Sequence, residues 1–157
     1  MQHRMKEFTM ESQAIEELLY KSPVGRLGTT GTDGYPYVVS VHYYYDGKSI
    51  YFHGLPQGEK TENMKADNRV CFEVSQLKSI LKPVDENDIC TADAEYESVV
   101  IRGKARFLED VKEKKAILEK IVEKFLPGAN NPMPEKMIAM TAVVKIEIER
   151  KTGKYHK

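Results

Sequence analysis

The sequence predicts a mainly β protein, an antiparallel β-barrel with helices at its periphery. Three observations point there. Short alternating runs separated by turn signals fill the middle of the chain. Helical patterns are too few to alternate with strands as a doubly wound parallel sheet demands. A chain of 157 residues supports one core but not separate cofactor and substrate domains. Residues 1–157 are therefore read as a single domain, with its core over 11–150 and short tails at either end.

The first amphipathic segment covers 9–21. Ala14, Ile15, Leu18 and Leu19 recur at helical spacing, with Glu16 and Glu17 on the polar side. Pro23 ends it, because proline forces the residue before it out of the α region. Four strand patterns follow: VGRLGTT, YVVSVHYYY, SIYFH and RVCFEV. The glycine-bearing turns at 31–34 and 46–47 read as hairpins, so the first three strands are expected to form an antiparallel meander. Between the third and fourth, GEKTENMKA (58–66) reads as a short helix.

From 75 to 97 periodicity fades, and the polar run DENDICTADAEYE is expected to make an excursion over the surface. Alternation returns at SVVIRGKARFL. There Val99, Ile101, Ala105 and Phe107 share one face, while Val100, Arg102, Lys104 and Arg106 share the other. Asp110 and Glu113 have capping-box spacing ahead of a helix whose apolar face is Val111, Ile117, Leu118, Ile121, Val122 and Phe125. Pro127 and Gly128 stop that helix, NNPMPEK reads as a loop, and TAVVKIEIER reads as the closing strand. The tail GKYHK carries no core pattern.

Charge and composition exclude several functions. With 24 basic and 24 acidic residues the formal charge is zero, so the chain offers no general attraction to phosphate backbones, and nucleic acid is not an expected partner. No apolar run approaches the length of a bilayer span, and MQHRMKEFTM lacks the apolar region of a signal peptide. The expectation is a cytoplasmic protein without a membrane partner. Cys71 and Cys90 have no neighbour at metal-knuckle or redox spacing and are expected to be reduced, mostly buried thiols.

Gly25, Gly28, Gly31 and Gly34 match neither GxGxxG nor GxxxxGK[ST], and no helix follows them. His3 and His156 fall in tails, where a solvated side chain is expected. His42 and His53 do not stand at ligand-prearranging distance from each other or from the cysteines, so no metal site is expected. No GxSxG elbow supports a hydrolase. The stretch IYFHGLPQGEKTENM is more informative. A strand delivers His53, a glycine loop follows, and Lys60 and Thr61 enter the first turn of a helix. A lysine there opposes the helix dipole unless an anion is bound. Amides freed by Gly58, the Lys60 ammonium, the Thr61 hydroxyl and the His53 imidazole together suit one phosphate group. A solvated lysine beside a turn histidine is the competing reading. The preceding strand, Tyr37, Val38, Val39, Ser40 and Val41, could align main-chain groups along a planar heterocycle. Tyr43, Tyr44 and Tyr45 then serve either as a stacking surface or as core.

Taken together, PVGRLGTTGTDGYPYVVSVHYYYDGKSIYFHGLPQGEKTENMKADNRVCFEV and the later YESVVIRGKARFLED resemble the pyridoxamine 5'-phosphate oxidase-like, FMN-binding split-barrel superfamily, and within it the nitroimidazole-resistance (Nim) branch. The resemblance covers roughly residues 11–150. It implies an antiparallel split barrel that forms a homodimer with FMN between the subunits. It also implies a flavin-dependent oxidoreductase acting on a small planar molecule such as a nitroaromatic. FAD, haem and a deazaflavin are the alternative cofactors, and a non-catalytic flavin- or haem-binding protein is the alternative function. Tyr37 to Val41 match the strand bordering the isoalloxazine, Lys60 the phosphate lysine, His53 a position at the end of the next strand, and Ser98 a strand region that approaches the flavin. Asn63 matches a position that serves either helix packing or ligand binding. His53 is the one weak catalytic candidate, as a proton donor, with loop orientation as its other reading. Ser40 replaces a proline of the Nim branch. Glu59 replaces the oxidase's arginine, and RKTGKYHK does not match its C-terminal substrate-binding segment, so oxidation of pyridoxamine phosphate itself is not expected.

Overall fold

The computed structural model describes residues 7–156; His3 and its expected solvated tail lie outside the described residues. The elements run α1 (Ser12–Lys21), β1 (Val24–Thr30), β2 (Pro36–His42), β3 (Tyr44–Tyr45), β4 (Ser49–Gly54), α2 (Glu59–Ala66) and β5 (Arg69–Leu81). A short 3₁₀ turn (Ile89–Thr91), β6 (Asp93–Phe107), α3 (Val111–Phe125), α4 (Glu135–Met140) and β7 (Ala142–His156) follow. All seven strands join one sheet in the order β2-β1-β5-β6-β7-β4-β3, and every pairing is antiparallel. The sheet curls until β2 comes back beside β4. This is the mainly β barrel that the alternating sequence predicts.

The inward positions form a continuous core of Leu27, Tyr43, Ile50, Phe52, Phe72 and Ile101, all fully buried. Each such side chain contributes about 1.5–3 kcal/mol by leaving water. α1 caps one end through Ile15, Leu18 and Leu19. A smaller cluster of Leu108, Leu118, Ile138 and Val143 lies between α3, α4 and the sheet. In β1, Gly25 leaves room for the Phe72 ring: a Cβ there would fall 2.0 Å from Phe72 Cζ.

The expected three-strand meander does not form. β1 and β2 are hairpin partners, but β4 crosses to the far end of the sheet and pairs with β7, from Ser49 opposite Glu147 to Gly54 opposite Ala142. The run YVVSVHYYY breaks at Tyr43. That ring packs edge-on against Phe72 at 5.0 Å, and its hydroxyl donates to the Leu19 carbonyl oxygen at 2.7 Å. The chain is thereby pinned beneath α1, and the β3–β4 hairpin departs from β2.

Within 75–97 the stretch 82–92 does run over the surface in turns and the short 3₁₀ turn, but both its flanks are strands. β5 and β6 stay paired from Ser75 opposite Ser98 to Leu81 opposite Asp93, with a register shift between Leu77 and Ser79. This hairpin runs past the core, so neither face needs an apolar stripe, and Leu77 and Ile80 are exposed. Polar cross-strand pairs support it, including Ser79 Oγ to Glu95 at 2.9 Å and the Lys78–Glu97 ion pair. The tail is also structured: β7 continues to His156 opposite Tyr96, and the His156 imidazole lies 3.3 Å from Asp93 with its side chain 16% exposed. Backbone pairing extends the strand there without an apolar pattern. α4 replaces part of the expected loop; six residues following Pro134 bury only Ile138. Asp110 accepts from the Glu113 N–H at 2.8 Å, but the Glu113 carboxylate turns to Arg106, so only half of the capping box forms. Both cysteines are free and exposed rather than buried, because Cys71 lies on the outer face of β5 and Cys90 in the 3₁₀ turn. No helix among the described residues is long and apolar enough to cross a membrane.

Candidate cofactor-binding site

β2 is the end strand of the sheet and hydrogen-bonds only to β1. Alternate main-chain groups of an end strand face away from its partner, so Tyr37 to Val41 keep one edge unpaired in the sheet. Tyr37, Val39 and Val41 turn inward, whereas Val38, Ser40 and His42 turn outward. Beside this edge, β4 delivers His53 and Gly54, and the chain loops through Gly58 into α2. Gly58 takes φ +112°, a conformation that a side chain would strain. Its carbonyl accepts from the N–H groups of Thr61 and Glu62, so the N–H groups of Glu59 and Lys60 precede the first intrahelical acceptor.

Lys60 folds back over the end of β4. A Cβ on Gly54 would stand 3.0 Å from Lys60 Nζ and 3.4 Å from Cε, so the missing side chain makes the seat for the ammonium. His53 lies within electrostatic reach of both Lys60 and His42. The residue as a whole is exposed, yet partial burial of its ring is the main reason its pKa falls below the ordinary histidine value. Repulsion from His42 and then Lys60 pushes it further the same way. The charges of His42 on β2 and Lys60 on α2 are thus both felt by His53 at the end of β4. Such a cluster favours an anion, which would relieve the repulsion.

Two other residues of the predicted stretch hold this architecture in place. Thr61 is 1% exposed and its hydroxyl donates to the Leu55 carbonyl oxygen at 3.3 Å, engaging the loop rather than the seam. Asn63, equally buried, donates from Nδ2 to Thr29 Oγ1 at 3.1 Å and ties α2 to β1. Ser98 is not brought to the cluster: it lies on β6, separated from β2 by β1 and β5, and pairs with Ser75 and Lys154. His42 was not among the predicted cofactor contacts. Its position at the outward end of β2 was the available signal, and its ring meets Phe125 of α3 edge-on at 5.3 Å. Tyr43 and Tyr45 belong to the core. Among the described residues no group of three or more His, Cys, Asp or Glu side chains could hold a metal ion.

A curled antiparallel sheet with an unpaired end strand defines a split barrel. The chain belongs to the pyridoxamine 5'-phosphate oxidase family, whose model matches residues 11–155. Its fold is similar to that of a candidate 5-nitroimidazole antibiotic resistance protein from Bacteroides thetaiotaomicron, with 26% identity over 94% of this chain and 86% of that one and a TM-score of 0.82. An FAD-binding protein from Mesorhizobium loti is 26% identical over 95% of this chain and 97% of that one, with a TM-score of 0.67. An FAD- and haem-binding protein from Mycobacterium smegmatis shares the fold at 16% identity over 94% of this chain and 72% of that one, with a TM-score of 0.82. No curated protein matches the chain.

Proposed function

We propose that the protein binds FMN at the β2–β4 seam and is a cytoplasmic flavin-dependent oxidoreductase that reduces a small planar acceptor, a nitroaromatic in the first instance. The observation that carries this reading is Lys60 seated over Gly54 at the end of β4, near the unpaired edge of β2. The residues fit the cofactor. The ammonium and imidazoles suit a phosphate, and the unpaired edge of β2 suits the polar edge of a flavin ring. FMN, when bound, supplies the hydride and electron chemistry.

The chain's own contribution is binding and orientation. Lys60 neutralises the phosphate, and the Glu59 and Lys60 amides face it from the start of α2. Main-chain groups of Tyr37 to Val41 fix the ring edge, and Ser40 adds a hydroxyl. His53, whose pKa is lowered first by burial and then by His42 and Lys60, is easier to protonate with an anion bound beside it. Likeness to the candidate nitroimidazole-resistance protein and to the FAD-binding protein supports the acceptor and the flavin class. The outer face of the sheet carries exposed Val38 and Val100, which suits pairing of two chains into a homodimer.

The visible spectrum of freshly purified protein tests the cofactor. Flavin bands, with FMN released on denaturation, are expected. A Soret band, or colourless protein that takes up no FMN, overturns the reading. For the activity, the flavin is reduced anaerobically and mixed with a nitroimidazole. Reoxidation faster than in buffer is expected, and equal rates refute the oxidoreductase.

A further inference from the structure

The register places one row of side chains straight across the outer face of the sheet. Val38 of β2 lies opposite Gly28 of β1, Gly28 opposite Cys71 of β5, Cys71 opposite Arg102 of β6, and Arg102 opposite Arg150 of β7. Directly opposed residues share one face, and like charges so placed repel. Both arginines are exposed, and among the described residues neither meets a carboxylate at ion-pair distance. Further along β5, the same face carries the exposed Leu77 and Ile80. Beyond Leu81 the tip of the β5–β6 hairpin has the opposite charge. Asp85, Glu86 and Asp88 are exposed there between the exposed Val84 and Ile89, and 83–89 contains no basic residue. Among the described residues these carboxylates form no ion pair; Asp85 and Asp88 accept only from groups of their own turn and its 3₁₀ continuation.

From this arrangement we propose that two chains pair outer face to outer face about a two-fold axis at Leu77 and Ile80, with the acidic tip of each hairpin seated on the Cys71, Arg102 and Arg150 row of its partner. The proposal deepens the homodimer suggested above by naming its contacts. The spacing along β5 suits it. At a strand rise of about 3.3 Å per residue the arginine row lies about 20 Å to one side of Leu77, and the strand runs about 13 Å to the other side before the tip begins. One rotation therefore carries both tips to both rows, as an isologous contact requires. Each end joins the tip carboxylates to two guanidiniums that lack partners in their own chain, and the centre covers Leu77 and Ile80. Gly28 keeps the row shallow, since a Cβ there would be in ordinary contact with Cys71 and Val38 at 3.5–4.0 Å. That leaves a seat beside Val38 for an apolar side chain of the tip. Val38 belongs to the strand read above as the flavin edge, so the partner's tip also closes that side of the cofactor site. This last step alone rests on the flavin reading.

The test uses full-length protein without added FMN. Cys71 stands in the arginine row and Cys90 beside the tip, and both are free and exposed. Within one chain the β5 strand holds them about 30 Å apart. A short bismaleimide should give a covalent dimer whose linked peptides, mapped by mass spectrometry, join Cys71 to Cys90, and Cys71→Ser or Cys90→Ser should abolish it. Arg102→Glu with Arg150→Glu in one chain, and Asp85→Lys with Asp88→Lys in another, should each raise the dimer dissociation constant about tenfold or more in sedimentation. Mixing the two should restore the dimer, because every row then meets a tip of opposite charge. A monomeric parent protein, a dimer linked through other pairs or not at all, or mixing without rescue overturns the pairing. FMN titration separates the two readings. FMN binding without the crosslink removes the pairing and leaves the flavin site, whereas the crosslink without FMN uptake does the reverse. Weaker FMN binding by each variant, repaired by mixing, is expected of a tip that closes the site; unchanged affinity removes that step.

Discussion

Asn63→Ala tests whether the basic seam depends on the anchoring of α2. The Asn63 amide is 1% exposed and Thr29 6%, and their 3.1 Å hydrogen bond joins the helix that carries Lys60 to β1. Truncation leaves a buried hydroxyl without its donor, at a cost of about 1–3 kcal/mol. For a chain of this size each kcal/mol lowers Tm by about 2–4 °C, so a fall of about 2–12 °C is expected in thermal unfolding. Replacing both partners removes the stranded group. Asn63→Ala with Thr29→Val should therefore lose less than the sum of the single changes, by about 0.5 kcal/mol or more. FMN titrated into the Asn63→Ala protein should also bind more weakly, because Lys60 loses its fixed seat. Strict additivity in the cycle would show that the bond stabilises nothing. Full FMN affinity in a destabilised Asn63→Ala protein would uncouple the anchor from the seam.

Lys60→Ala removes a charge-assisted contact of about 1.5–3 kcal/mol, so FMN affinity by fluorescence quenching should fall about 10- to 150-fold; unchanged affinity refutes the phosphate role. The depressed pKa of His53, caused first by burial and then by His42 and Lys60, means that the unfolded chain binds its proton first as pH falls. Its contribution to stability is therefore lost from about pH 6.5 downward through the folded value, and His53→Gln should flatten that limb in urea midpoints taken across the window. An identical pH profile in the variant removes His53 as the cause. Gly25→Ala places a Cβ 2.0 Å from the buried Phe72 ring and should cost about 1–3 kcal/mol by overpacking. Shrinking the ring with Phe72→Leu in the same chain should recover part of that loss, and a Gly25→Ala protein as stable as the parent would contradict the packing.

Elements with one dry face were legible in the sequence. β1 and α3 bury alternating or helical stripes, β4 is a short run buried on both faces from Ser49 to Phe52, and the 58–66 segment was framed by a glycine and a distinct polar run. The β5–β6 arm and the end of β7 were not legible, because they are held by main-chain pairing where hydrophobic periodicity is absent; at the end of β7 the buried positions are Gly153 and the half-buried Tyr155 rather than an aliphatic stripe. The strand order was hidden for another reason. Tyr43 looks like any alternating strand residue, and only its bond to Leu19 shows why the chain turns there. The same division applies to the site. His53, Gly58 and Lys60 share one sequence stretch and were found together, whereas His42 joins them only because the curled sheet brings β2 to β4. Residue type marked Thr61 as a phosphate donor, but type does not select a rotamer, and its hydroxyl faces Leu55.

The two ends of the curled sheet and the two lysines express one physical principle in opposite ways. At the seam, basic groups from strands remote in the sheet order lie close together, and their repulsion works against closure until an anion joins them. A ligand that binds only the closed seam therefore also stabilises the fold, by about 2.7 kcal/mol at a hundredfold excess over its Kd. At Lys124 the charge is not waiting for an anion. A carbonyl oxygen and an aromatic face already solvate one side of the nitrogen, while burial lowers the proton affinity. The fold thus leaves the charge of Lys60 to a ligand in the proposed reading and engages the nitrogen of Lys124 internally. What separates the two roles is the environment each element supplies: a glycine seat beside other basic groups in one case, and a buried carbonyl acceptor with no counter-ion in the other.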